Sequence, residues 1–289
     1  MGTLLNIVTS SPKSETYPSL LHTIPDFPEL IYHQGVPLLS SDRVIAVVGT
    51  RNMTAYGAMV TRTLTKGLVE RGWAILSGLA FGVDAESHTT ALRCGGKTAA
   101  VLPGGLLCIA PHTHTQLAQR ILNSGGVLYS EYEPNVEPRK HHFFARNRLI
   151  AGMSAAVLVT EAGSRSGTSI TVSRAAEYGR PVFAVPGPIT NPYSEGTKAF
   201  INMGATLVTS AEDLLTYIDE GKSRLVRQQL LFESEIERQI FEYVQHVGGA
   251  SIEQLIQQLH ERPERVIRAL TSLEIRGLIH RSFGRYLTA

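Results

Sequence analysis

Seven short apolar runs recur between Val44 and Ser210: VIAVVG, WAILSG, TAAVLPGG, GVLYSEY, AAVLVTEAG, PVFAVPG and ATLVTS. They are continuous rather than alternating, which is how strands read when both of their faces are covered. Helix-compatible segments such as TRTLTKGLVERG and SITVSRAAEYG separate several of them. The expected fold class is therefore α/β, an extended Rossmann-like parallel sheet. Residues 17–40, YPSLLHTIPDFPELIYHQG and its flank, hold prolines and short apolar pieces that suggest small helices and turns, so 1–40 is expected to be an entry segment packed on a domain spanning 41–218. The polar stretch DEGKSRLVRQQ suggests a linker over 219–231. From Phe232 to Ala289, apolar spacing of three and four in EIERQIFEYVQHV, SIEQLIQQL and PERVIRALTSLEIRGL predicts three helices, and IHRSFGRYLTA reads as a short hairpin. Three helices and a hairpin make a small winged-helix domain over 232–289.

In an open parallel sheet, ligands collect at the carboxyl ends of the strands. The residues there are glycine-rich: Gly49-Thr50-Arg51, then Ser77-Gly78, then Gly163 followed by Ser166-Gly167-Thr168. Loops of this kind are expected to present unpaired backbone N–H groups to phosphate. The stretch KHHFFARNRL at 140–149 strings Lys140, Arg146 and Arg148, which suit phosphates, together with Phe143 and Phe144, which suit flat rings. A buried element would reject that density of charge and a solvated face would reject both rings, so it reads as a loop. With a formal charge of only +2, an anionic partner must be met by a local patch of this sort.

Several sharper chemistries are not supported. GTRNMTAYG lacks the dinucleotide fingerprint, GGKT at 95–98 lacks the leading glycine of a phosphate loop, and GSRSG at 163–167 puts arginine where a nucleophile elbow needs serine. Cys108, His112 and His114 do not have a familiar zinc spacing, and Asp84 and Glu86 open a predicted helix, where carboxylates serve as caps. No catalytic residue, metal or cofactor is expected. Two cysteines exclude a disulfide framework and fit a reducing compartment, and no leader or membrane-spanning stretch is recognisable, so the expected location is cytoplasmic.

Longer patterns carry a resemblance. VVGTRNMTAYG at 47–57, SGLAFGVDAESH at 77–88, FFARNRLIAGMS at 143–154, EAGSRSGTSIT at 161–171, AVPGPI and GTKAFINMGA are similar to successive motifs of the DNA-processing protein A (DprA/Smf) family. The resemblance implies that Arg51, Lys140 and Phe143 face single-stranded DNA, with Arg146, Asn147 and the Ser166–Thr168 turn beside them. It further implies protection of incoming strands in natural transformation, loading of a RecA-type recombinase, homodimers formed through the Rossmann domain, and no catalysis. Phe81 stands where the family carries arginine, Phe144 where it carries proline, and Lys198 where it carries asparagine. Phe144 is expected to be a packing residue. A related group of nucleotide-cleaving enzymes is marked by P-G-G-x-G-T-x-x-E, which PGG at 103–105 does not continue. For the winged-helix domain, with Arg265 and Arg268 on its third helix and Arg281 and Arg285 near the wing, a protein-contact or regulatory role is expected.

Overall fold

The computed structural model describes residues 6–38, 43–164, 166–219, 234–275, 278–282 and 284–288, and divides into two compact units, Met1–Leu215 and Thr216–Ala289. From residue 220 on, the linker expected at 219–231 lies outside the described residues.

All seven apolar runs are strands. β3 (Val44–Val48), β4 (Ala74–Ser77), β5 (Thr98–Val101), β6 (Val127–Ser130), β7 (Ala156–Val159), β8 (Val182–Ala184) and β9 (Thr206–Leu207) pair in parallel. Ala99 and Val101 join the core on one face of the sheet, while Ala100 and Leu102 pack on the other beside Leu117 and Ile121. This is why the runs do not alternate: each strand buries both of its faces.

The entry segment differs from its expected helices and turns. It contains a short 3-10 helix (Ser19–Thr23), but also two strands, β1 (Ile7–Ser10) and β2 (Ile31–Gly35); β2 pairs antiparallel with β6 and β1 antiparallel with β2. The described sheet is therefore mixed, with nine strands in the order β1-β2-β6-β5-β4-β3-β7-β8-β9. In β2 the inward positions are Ile31 and His33, both buried, and a histidine at an inward position hides the alternation that marks a half-buried strand. Tyr17, Leu21 and Ile24 nevertheless join the main core.

His33 carries a testable cost. It is buried against Tyr129, with ring centroids 6.0 Å apart, and neither ring nitrogen has a hydrogen-bond partner among the described residues. Burial holds its pKa below the usual histidine value. Stability contributed by a depressed base is present above the ordinary value and is lost as the pH falls toward the folded one. Replacing His33 by leucine removes both orphaned nitrogens, so urea denaturation is expected to show a gain of about 1 kcal/mol near neutral pH. The variant should also lose less stability than its parent between about pH 7 and pH 5.

Helices α2 (Val83–Arg93), α4 (Lys140–Gly152), α5 (Thr168–Glu177) and α6 (Glu195–Asn202) contribute to the lining of the cleft described below, α1 (Ala55–Glu70) follows the loop after β3, and α3 (Thr115–Asn123) packs with Ala100 and Leu102. α4 corrects a second expectation. KHHFFARNRL is the beginning of a helix, not a loop. Its buried apolar side chains, Leu149, Ile150 and Ala151, lie together near its C-terminal end, so no stripe announces it, and one of its inward positions is taken by Arg146. The ring of His142 accepts the Arg139 N–H at 3.3 Å and stacks on Tyr132 at 4.1 Å, fixing the helix start.

From residue 234 on, the described residues of the second unit form the helices Glu235–Val247, Ile252–Leu259 and Pro263–Ile275 and the antiparallel strands Ile279–Ser282 and Arg285–Thr288. This is the element order expected of a winged helix. Ile240, Val244, Leu255, Val266, Leu270 and Leu273 form its core. Ser234 caps the first helix, and Ser251 with Gln254 forms a reciprocal capping box on the second.

Candidate functional site

Counting outward from β3, the chain builds β4, β5 and β6 to one side and then returns to place β7, β8 and β9 on the other. The order therefore reverses between β3 and β7, and a crevice opens at the carboxyl ends of strands on either side of such a reversal. A cleft of about 920 Å³ lies there, lined by Gly49–Asn52 after β3, Gly163, Ser164 and Ser166–Thr168 after β7, and Lys140, Phe143, Phe144 and Asn147 from α4.

The two strand ends are tied together from beneath. The Thr50 N–H donates to the Glu161 carbonyl at 2.8 Å. The buried carboxylate of Glu161 accepts from the Thr54 N–H at 2.7 Å, the Thr54 hydroxyl at 2.6 Å and the Asn191 amide at 3.3 Å. Gly49 has no room for a side chain, since a Cβ there would stand 2.5 Å from Val83 and 2.6 Å from the Glu161 carbonyl. The Thr54 side chain also accepts from the Gly57 N–H at 3.1 Å and so starts α1.

On this base Arg51 projects outward, and its guanidinium lies 5.4 Å from the centroid of the Phe143 ring. Arg51 and Lys140 are exposed, Phe143 is half-buried, and among the described residues neither cation takes part in an ion pair. Phe144, expected to pack, is instead 48% exposed on the cleft wall. The cleft thus offers a cation layered on an aromatic face, a second free cation and a second ring. Glu195 is an acid on the same lining.

Ten of the twelve residues singled out from sequence line this cleft, namely Gly49, Arg51, Lys140, Phe143, Arg146, Asn147, Gly163, Ser166, Gly167 and Thr168. Ser77 and Gly78 do not. Ser77 is buried and donates to the Val47 carbonyl at 2.6 Å, and a Cβ on Gly78 would strike the Arg146 guanidinium at about 2.4 Å. Arg146 is also buried, donating to the Gly78 carbonyl at 2.6 Å and to the Val101 carbonyl. It stitches α4 to two strand ends. Arg148 turns away to pair with Asp26 and Glu131. Asn147 reaches the Gly167 carbonyl at 3.4 Å, and Ser166 closes its turn through Thr168.

Several amides expected to cradle phosphate are already engaged. The Gly78 and Ala80 N–H groups donate to the Asp84 carboxylate at 3.1 and 3.3 Å, the Thr50 N–H to the Glu161 carbonyl, and the Thr168 N–H to the Ser166 hydroxyl. Asp84 is not the expected cap: it lies in the first turn of α2, whose N-cap is Gly82 without a side-chain bond, and its buried carboxylate reaches back to the loop before the helix, where a phosphate-binding loop would hold its anion. The groups this leaves exposed for an anion are the Arg51 and Lys140 side chains. Tyr193 and Asn52 also line the cleft and were not singled out from sequence. Tyr193 follows the carboxyl end of β8, so the strand-end rule applied to PVFAVPG would have pointed toward it.

The family model for the DNA recombination-mediator protein A matches residues 8–219. The DNA processing protein DprA of Bacillus subtilis is 42% identical over 208 residues, covering 72% of this chain and 70% of that protein. The crystal structure of DNA processing protein A from Streptococcus pneumoniae superposes with a TM-score of 0.68 at 40% identity, covering 73% of this chain and 74% of the other. A second structure concerns the single-stranded DNA binding mode of DNA processing protein A from Helicobacter pylori. It superposes with a TM-score of 0.67 at 28% identity, covering 76% of this chain and 99% of that one.

Proposed function

The chain belongs to the DNA recombination-mediator protein A family, and from that premise and the chemistry of the cleft we propose that it binds and protects single-stranded DNA with little sequence preference. The observation that carries this reading is Arg51 layered over Phe143 beside the unpaired Lys140. Cations track the backbone of a polyanion, and an aromatic ring offers a stacking face to any unpaired base. Bases in a duplex are already stacked on their neighbours and have no free face for Phe143, so single strands are preferred. Engagement of the strand-end amides by Asp84 and Glu161 leaves side chains, not a rigid amide cradle, to meet phosphate, which suits a flexible polymer better than one fixed phosphoryl group.

The wider role follows the family: delivery of the bound strand to a RecA-type recombinase during natural transformation or recombination, by a cytoplasmic homodimer and without catalysis. The winged-helix unit serves protein contact or regulation in this reading. Its basic residues are partly committed to their own fold, which supports that choice. Arg265 pairs with Glu261 at 3.2 Å, Arg285 donates to the Gly249 carbonyl at 2.6 Å, and Arg281 lies over Tyr286.

Fluorescence anisotropy with single- and double-stranded oligonucleotides at two salt concentrations tests the reading, run beside an assay for base release from nucleotides. Single-strand preference and no base release are expected. Arg51→Ala and Lys140→Ala should each weaken binding and reduce the salt slope by roughly 0.7, one phosphate contact on a single strand. Phe143→Ala should cost about 1 to 3 kcal/mol of binding with the slope nearly unchanged. Equal affinity in all three variants would overturn the assignment, and base release would replace it with nucleotide cleavage.

A further inference from the structure

One further aromatic side chain stands on a loop next to the cleft lining, after Ala80. Phe81 is 48% exposed, yet it sits on one of the most constrained loops in the molecule. Asp84 holds the N–H groups on either side of Leu79, at Gly78 and Ala80. Leu79 is fully buried at φ 58°, and Gly82, at φ 73°, is pressed against the β3 loop so closely that a Cβ would stand 2.2 Å from the Thr50 carbonyl and 2.7 Å from the Arg51 backbone. The ring itself is braced edge-on by His114, with centroids 4.8 Å apart and planes at 68°. His114 is fixed in turn by a 2.8 Å hydrogen bond between its Nδ1 and the Leu79 carbonyl.

A large apolar ring left in water on a flexible loop would be unremarkable. Here it is preorganised, and the neighbours that lock its loop are the residue that carries the guanidinium and, through Ala80, the cleft wall itself. Ordering a flexible side chain opposes binding, so a ring already held in place stacks at lower entropic cost. We propose that Phe81 is a second base-stacking platform, taking an unpaired nucleobase of the same strand next to the one received at Arg51 and Phe143. This rests on the single-stranded DNA reading above. It adds a stacking contact that carries no charge, so it raises affinity without raising salt sensitivity.

The test is an anisotropy titration of the full chain with an oligonucleotide trimmed to the shortest length that still binds, in which one abasic nucleotide is moved along the strand. Two positions should be sensitive to base removal in the parent. Phe81→Ala should weaken binding about tenfold, leave the salt slope unchanged and abolish one of the two sensitive positions. Phe81→Tyr should keep both, and Phe81→Arg should steepen the salt slope. Because the ring is half in water, unfolding of the alanine variant is not expected, and its thermal midpoint verifies this. If Phe81→Ala binds as tightly as the parent while Phe143→Ala binds weakly, the second platform is disproved and the main site stands. Should the parent itself show no single-strand binding, both readings fall together.

Discussion

Glu161→Ala is expected to lower the stability of the chain by about 3 kcal/mol and to weaken single-strand binding by at least roughly tenfold, although the carboxylate touches no solvent-facing part of the cleft. The reason lies in what it holds. Glu161 is 2% exposed and accepts from Thr54 twice and from Asn191 once, so one side chain fixes both the segment that presents Arg51 and the segment that leads to Tyr193. Truncation leaves those donors without partners in a place water fills poorly, at about 1 to 3 kcal/mol for each buried group that stays unsatisfied. It also empties the space against which Gly57 packs, where a Cβ would stand 2.2 Å from the carboxylate oxygen. Glu161→Gln separates the two effects. It keeps the volume, but its amide nitrogen is a donor and faces donors, so stability should fall by less while Arg51 loses its fixed position. Urea denaturation and anisotropy read the two quantities. A glutamine variant with the parent's stability and affinity would show that the clamp is dispensable.

The parallel strands were legible because burial on both faces leaves a mark in composition that no other short element shares: β3, β5 and β7 are apolar at every position or nearly so. The cleft was legible for a related reason, since the strand order forces ligand-facing residues to follow strand ends, and Gly49, Arg51 and Gly163 do. Legibility ended where a polar side chain occupied an inward position. His33 concealed β2, and Arg146 concealed α4, because pattern reading assigns polar residues to the surface. Glycine was misleading for a different reason. Gly78 is small to admit the Arg146 guanidinium, not a phosphate, and sequence does not distinguish the two needs. The capture of loop amides was equally hidden: Glu161 reaches Thr54 from a distant part of the chain, and Asp84 turns back to Gly78 and Ala80 where a carboxylate opening a helix reads as its cap.

Arg146→Met should be the most damaging substitution in the cleft wall, with a loss of about 3 to 5 kcal/mol, because it strips a donor from two buried carbonyls and removes the buried cation that acts electrostatically on the buried Asp84. Arg146 is 4% exposed, and burial draws its pKa down to about 10, so it remains charged at neutral pH. Asp84 is 6% exposed, and burial is the largest influence on it, raising its pKa above the ordinary carboxylate value. The Arg146 charge and the hydrogen bonds from Ala80 and Gly78 act against that rise. Taking away the cation therefore raises the Asp84 value further. An acid whose folded pKa lies above its unfolded one stabilises most below the unfolded value, and that contribution is lost as the pH rises through the folded value. The methionine variant should consequently be hurt most at neutral and alkaline pH and should recover toward its parent on acidification, as Asp84 takes up a proton. Asp84→Asn combined with Arg146→Met removes the stranded charge while preserving an acceptor for the Gly78 and Ala80 N–H groups, and should return part of the loss at neutral pH. Urea denaturation of the parent, both single variants and the double variant near pH 7.5 and near pH 5 measures the coupling. A deficit of the same size at both pH values would show that Arg146 acts through its bonds to the Gly78 and Val101 carbonyls and not through its charge.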